Sequence, residues 1–133
     1  MAFIPNTYLD GAQRPWQKLP AAAGDYTAGE ALVFSGGCLV PVSADCGSDT
    51  AAGRHYLCAA ETTVAEGGAL AVIAADENTV FSAPLNAADS ALACGSVRTI
   101  TAQGVGAAGA NGCFVVLGFD GTAAGDTVRG ILM

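Results

Sequence analysis

Glycine interrupts this chain so often that its longest unbroken apolar runs, at 69–75 and 113–117, are only seven and five residues long. A membrane-spanning helix needs roughly 18 apolar residues, and even a buried soluble helix usually runs for about ten or more. Short apolar runs bounded by glycine fit strands instead. The punctuation does not amount to low complexity. Eighteen glycines and five prolines among 133 residues stay below the roughly 25–30% that marks such chains. The 52% hydrophobic content supplies ample surface to bury and argues against disorder. The length fits one compact domain.

From Glu30 onward the pattern is one of strands and tight turns. Residues 31–35 alternate, with Leu32 and Phe34 on one face. Gly36-Gly37 then forms a two-residue hairpin loop, since a type I′ turn favours glycine at both central positions. Residues 38–42 return, and Pro41 marks them as an edge strand. A polar loop fills 43–54. Strands are expected at 55–60, 70–74, 79–83, 96–103, 113–119 and 127–133, with turns at 62–68 and 76–78. Gly29, Gly67-Gly68 and Gly125 each lead into an alternating segment, a weak internal echo of hairpin grammar. The Ala-rich tract 83–94 admits one or two helical turns, with Asp89 and Ser90 as caps. About eight short strands at this spacing predict an all-β domain, a small sandwich or barrel.

Residues 1–29 differ from the β-rich part, 30–133. They hold Pro5, Pro15 and Pro20 and the only tryptophan, Trp16. Each proline removes a backbone donor and restricts its predecessor, so this segment is expected to be an extended arm. Its apolar residues follow no clear period and serve as anchors, packing on their own domain or on a neighbouring subunit. Five basic residues against twelve acidic ones give a net charge of −7. Residues 1–20, however, carry Arg14 and Lys18 against Asp10 alone, leaving the remainder at −8. Phe3, Ile4, Tyr8, Leu9, Arg14, Trp16 and Lys18 are therefore the candidate interface residues, facing another subunit.

The charge balance excludes a nucleic-acid partner, which requires a basic stripe, and an anionic membrane surface for the same reason. Cys38, Cys46, Cys58, Cys94 and Cys113 are odd in number and form no C-x-x-C pair, so no zinc site is expected. They read as free, mostly buried thiols in a protein folded in a reducing cytoplasm. The opening MAFIPNTYLD lacks the basic and apolar regions of a secretory signal. Residues 104–109, GVGAAG, form a G-x-G-x-x-G. A dinucleotide site needs a helix directly afterwards, and only three residues separate this motif from the next apolar strand. The single histidine, His55, lies three residues from Cys58, an odd spacing that sends strand side chains to opposite faces. No G-x-S-x-G elbow occurs. Asp76 and Glu77 read as solvated turn residues. No catalytic residue, metal or cofactor is expected.

Taken in order, several segments resemble a family of tailed-bacteriophage capsid (head) decoration proteins. They are Met1-Ala-Phe-Ile-Pro-Asn, Ala28-Gly-Glu-Ala-Leu-Val-Phe-Ser-Gly-Gly-Cys-Leu and Tyr56-Leu-Cys-Ala-Ala-Glu. Gly68-Ala-Leu-Ala-Val-Ile-Ala-Ala-Asp-Glu-Asn-Thr-Val-Phe and Gly121-Thr-Ala-Ala-Gly-Asp-Thr-Val-Arg-Gly complete the set. The likeness is weakest over 43–54 and 84–112. It implies a non-enzymatic β-protein, made in the host bacterial cytoplasm, that binds the major capsid protein on the outside of an assembled shell. It further implies homotrimers, and an N-terminal arm that contributes to the capsid contact. The alternatives are another phage particle module (head fibre, tail or adhesion) and a small carbohydrate-binding β-domain.

Overall fold

The computed structural model describes residues 2–11, 15–42, 55–109 and 112–132. These residues form strands and turns without a helix. Strands are numbered β1 to β14 in chain order. The first sheet has the order β1 (Ile4–Tyr8), β9 (Thr79–Pro84), β14 (Thr127–Leu132), β13 (Phe114–Phe119) and β10 (Val97–Arg98). The second has the order β2 (Gln17–Pro20), β8 (Ala69–Ala74), β6 (Tyr56–Cys58), β4 (Ala31–Ser35) and β5 (Cys38–Pro41). Two ribbons complete the set: β3 (Gly24–Tyr26) with β7 (Thr62–Val64), and β11 (Ile100–Thr101) with β12 (Gly104–Val105). All strand pairs are antiparallel.

Alternation along the strands separates two cores. Phe81, Ala83, Phe114, Val116 and Val128 of the first sheet share a buried cluster with Ala31, Val33 and Leu57 of the second. The opposite face of the second sheet carries Leu32, Leu39, Cys58, Leu70 and Val72, and here Tyr26 of β3 and Val64 of β7 provide the cover. The alternation expected at 31–35 therefore separates two buried faces, with Ala31 and Val33 in one core and Leu32 and Phe34 at the other. The architecture is a small β-sandwich, and the barrel alternative is corrected: the sheets do not close. A single parallel bridge between Ala21 and Leu39 brings the end of β2 to β5 and curls the second sheet around its core. One bridge is too little to seal it.

The extra strands have specific causes. The expected strand at 96–103 breaks at Thr99, so β10 joins the first sheet while β11 folds back on β12. Part of the expected turn at 62–68 is β7. The described residues of the N-terminal segment, 2–11 and 15–29, form three short strands and turns that are built into the domain. β1 edges the first sheet, β2 edges the second, and β3 covers the second core. The Ala-rich tract holds no helix: β9 runs to Pro84, Leu85 bridges Val105, and turns follow. The expected loop at 43–54 lies outside the described residues.

The Gly36-Gly37 hairpin takes the expected form, with φ of 62° and 88° between the paired Ser35 and Cys38. Gly29 is more constrained. Its φ is +79°, and a Cβ there would sit 2.5 Å from the Phe3 carbonyl oxygen. Gly29→Ala therefore combines left-handed backbone strain with a clash against fixed backbone, and should destabilise the domain by about 2 kcal/mol or more. Gly11→Ala, also at positive φ but with nothing within 4 Å, should cost about 1 kcal/mol. Urea unfolding of the two variants tests the difference.

Candidate functional site

The seven candidate interface residues fall into different environments. Phe3 is fully buried, its ring tilted against Phe114 at a centroid distance of 6.2 Å. The backbone holds it there, because Phe3 N–H donates to the Gly29 carbonyl at 2.9 Å. Phe3 thus serves the core and is not available to a partner. Ile4, 40% exposed, pairs with Ser82 and faces outward from the first sheet. Tyr8 pairs with the buried Thr79 and is half-buried at the sandwich rim.

The remaining candidates border the crossing between the two sheets. Leu9 donates its N–H to the Asn78 carbonyl at 2.6 Å, yet its side chain is 60% exposed. Trp16 is 61% exposed just before β2. Lys18 is exposed on β2 opposite Ala71. Arg14 lies outside the described residues. The described residues on either side of the crossing from β1 to β2 thus expose a leucine, a tryptophan and, on β2, a lysine.

Elsewhere the chemistry is structural. His55 is buried immediately ahead of β6, and Cys58 within it. Burial pushes the Cys58 thiol up, away from thiolate reactivity. Cys38, Cys58, Cys94 and Cys113 form no disulfide among the described residues, and Cys46 lies outside them. No group of three or more His, Cys, Asp or Glu side chains suited to a metal ion occurs among the described residues. The glycine motif contributes Gly104 to β12 and then a loop that packs on Thr99, with no helix following.

That loop walls a concavity of about 370 Å³ lined by Asn86, Asp89, Thr99 and Thr101 together with Gly106 and alanine methyls. Its polar groups are occupied internally. Asn86 Nδ2 donates to Thr101 Oγ1 at 2.9 Å, Thr99 Oγ1 to the Ala107 carbonyl at 2.9 Å, and Arg98 Nε to Asp89 Oδ2 at 2.7 Å. Arg98 is buried, and its other nitrogens donate to the Val97 and Ala91 carbonyls. This cluster fastens the irregular 86–96 stretch to β10.

The sequence reading missed the outward row Val97, Val115 and Ile131 on the first sheet, because strand alternation alone does not say which face of an apolar segment stays bare. No protein-family model matches this sequence, and no curated protein matches it.

The Arg98 hydrogen bond holds the Asp89 carboxyl below the ordinary carboxylate range. A lowered folded-state value means the stabilisation is complete above an unfolded pKa of about 4 and is lost as pH falls through the lowered value. Urea midpoints followed from about pH 6 to about pH 2 should fall less steeply for Asp89→Asn than for the wild type. Arg98→Ala should cost roughly 3 kcal/mol at neutral pH by leaving Asp89 and two carbonyls short of their donor.

Proposed function

We propose that this chain is a structural virion protein that binds the outer surface of an assembled phage capsid and stabilises it. Its partner on that reading is the major capsid protein, and its place is the capsid exterior. The observation that carries the reading is the exposed crossing segment. Leu9 follows β1 and Trp16 precedes β2, each about three-fifths exposed, and Lys18 is exposed on β2 itself. Tryptophan anchors of this kind dominate binding energy at protein interfaces when they enter a partner's pocket. A solvent-facing indole and isobutyl group on a small acidic domain have no evident role in its own stability.

The rest of the molecule suits a scaffold-binding part. Strands beneath the crossing are pinned by Phe3 and by sheet pairing, so the anchors start from a fixed base and forfeit little entropy on docking. The N-terminal segment adds a basic increment to an acidic chain, which suits an acidic or mixed docking surface. Contact area per copy is modest, but a rigid lattice of identical sites compensates through cooperative reinforcement of the shell.

Co-sedimentation with shells assembled from the cognate major capsid protein tests the proposal. Wild-type protein should pellet with the shells up to saturation, and Trp16→Ala should weaken binding about tenfold or more while leaving thermal stability unchanged. No binding at any attainable concentration would overturn the reading. Undiminished binding by the Leu9→Ala, Trp16→Ala double variant would remove the crossing segment from the contact.

A further inference from the structure

Beyond Pro84 the chain begins to pair with β12 and then stops. At the parallel bridge between Leu85 and Val105, Asn86 N–H donates to the Val105 carbonyl at 2.9 Å. The next rung of such a ladder would carry Ala88 N–H to the Ala107 carbonyl. It does not form, because each segment has turned to another neighbour. The Ala107 carbonyl accepts the Thr99 N–H at 3.0 Å and the Thr99 hydroxyl at 2.9 Å. Asp89 N–H donates to the Thr122 carbonyl at 2.8 Å. The concavity of about 370 Å³ lies where the two segments part, with Ala87 and Ala88 on one side and Gly106, Ala107 and Ala108 on the other.

Peptide planarity fixes what these walls present. In a trans peptide the C=O of one residue and the N–H of the next point in opposite directions. With the Ala107 carbonyl turned to Thr99, Ala108 N–H turns away from Thr99, toward the gap. With Asp89 N–H turned to Thr122, the Ala88 carbonyl turns to the side on which Asn86 met Val105. Neither group has a hydrogen-bond partner among the described residues. A donor therefore stands on one wall and an acceptor on the other. The residues around them are alanines and a glycine, so the main chain stays open to close approach.

We propose that this gap binds an extended peptide segment of another protein through its main chain. A peptide group laid across the gap accepts from Ala108 N–H and donates to the Ala88 carbonyl, as when a strand is added to a sheet. Other ligand classes find less to hold. The Asn86 and Thr99 side chains are engaged within the chain, and Arg98 neutralises Asp89, so the site attracts neither a cation nor an anion. No aromatic ring is among its described lining residues for a sugar to stack on. Both walls are set before binding. A Cβ at Gly106 would lie 2.7 Å from Thr99 Oγ1, so glycine there lets the Thr99 hydroxyl fasten one wall, and Thr122 holds the other. Little ordering is left for the ligand to impose. The volume sits at the small end of the range for ligand sites, roughly 300–1,000 Å³, which selects small side chains. A few main-chain bonds in so small a groove give a weak contact, with Kd on the order of 1 mM for a short peptide. The site uses neither Leu9 nor Trp16 and stands independently of the capsid reading.

Amide correlation spectra of the ¹⁵N-labelled full chain supply the test, titrated with a blocked hexapeptide of alternating alanine and threonine. The peptide should shift the Ala108 amide and slow its exchange with solvent. The same peptide N-methylated at alternate residues keeps its side chains but loses main-chain donors, and should bind about tenfold or more weakly. Ala108→Pro removes the donor on the wall and should weaken binding similarly, with circular dichroism confirming the fold; the methylated peptide decides the matter if that variant fails to fold. An unshifted Ala108 amide at about 10 mM peptide, well above the expected Kd, would overturn the proposal. Equal binding of the methylated peptide would do so too, as would shifts that centre on Trp16. Shifts at Ala108 that grow with protein concentration alone would replace the peptide with a second copy.

Discussion

The second sheet is buried on both faces, and most of the molecule follows from that. Adjacent residues Leu32 and Val33 on β4 are each essentially inaccessible, one in each core. A plain two-layer sandwich can bury only one face of each sheet. With 52% hydrophobic and 13% charged residues, this chain has more apolar surface than two inner faces absorb. The β3–β7 ribbon supplies a third layer over the second sheet, with Tyr26 as its centre. Tyr26 Oη donates to the Ala22 carbonyl at 2.6 Å, which satisfies its hydroxyl while the ring fills the core. The first sheet receives no such cover among the described residues, and its outer side carries Val97, Val115, Ile131 and Val80 beside Ser82 and Arg129.

Several distant parts of the chain meet at Gly29-Glu30-Ala31. Gly29 N–H donates to the Cys58 carbonyl at 2.8 Å, Cys58 N–H to the Glu30 carbonyl at 3.0 Å, and Ala31 N–H to the Ala102 carbonyl at 2.9 Å. The Gly29 carbonyl accepts Phe3 N–H, so the N-terminal segment, the second sheet and the β11–β12 ribbon share one junction. Glu30 is buried there as a carboxylate acceptor. Its Oε1 receives the Thr27 N–H and hydroxyl and Gln103 Nε2. An acid in a core is tolerable when donors surround it, and here they come from two separate elements. Glu30 thus ties the ribbon's turn to the start of β4.

The sequence made the strands of the β-rich part legible because each is short, apolar and led by a turn residue. Gly29, Gly67 and Gly125, picked out by their position before alternating segments, all take positive φ. Strands β1 to β3 were not legible. Prolines 5, 15 and 20 argued correctly against a long element, but edge strands tolerate proline where the missing N–H would face solvent. Burial of Phe3 was equally hidden, since its partner Phe114 lies more than a hundred residues away and its seat depends on a glycine at position 29. The candidate site was legible as a segment and not as a surface. Trp16, Leu9 and Lys18 are exposed, but nothing local separates them from Phe3.

Edges decide how such a molecule can associate. Unpaired strand edges invite addition of further strands, and the sheet edges here are blunted. β1 carries Pro5 and a register shift between Pro5 and Thr7. β2 ends in Pro20 and β5 in Pro41. Ala21 and Ala22 lie against Leu39, so the β5 edge is partly occupied as well. β10 is only two residues long. Backbone pairing between molecules is discouraged at each of these positions, so contacts there must be made through side chains. Among the described residues, apolar side chains are offered by Leu9 and Trp16 and by the outer face of the first sheet.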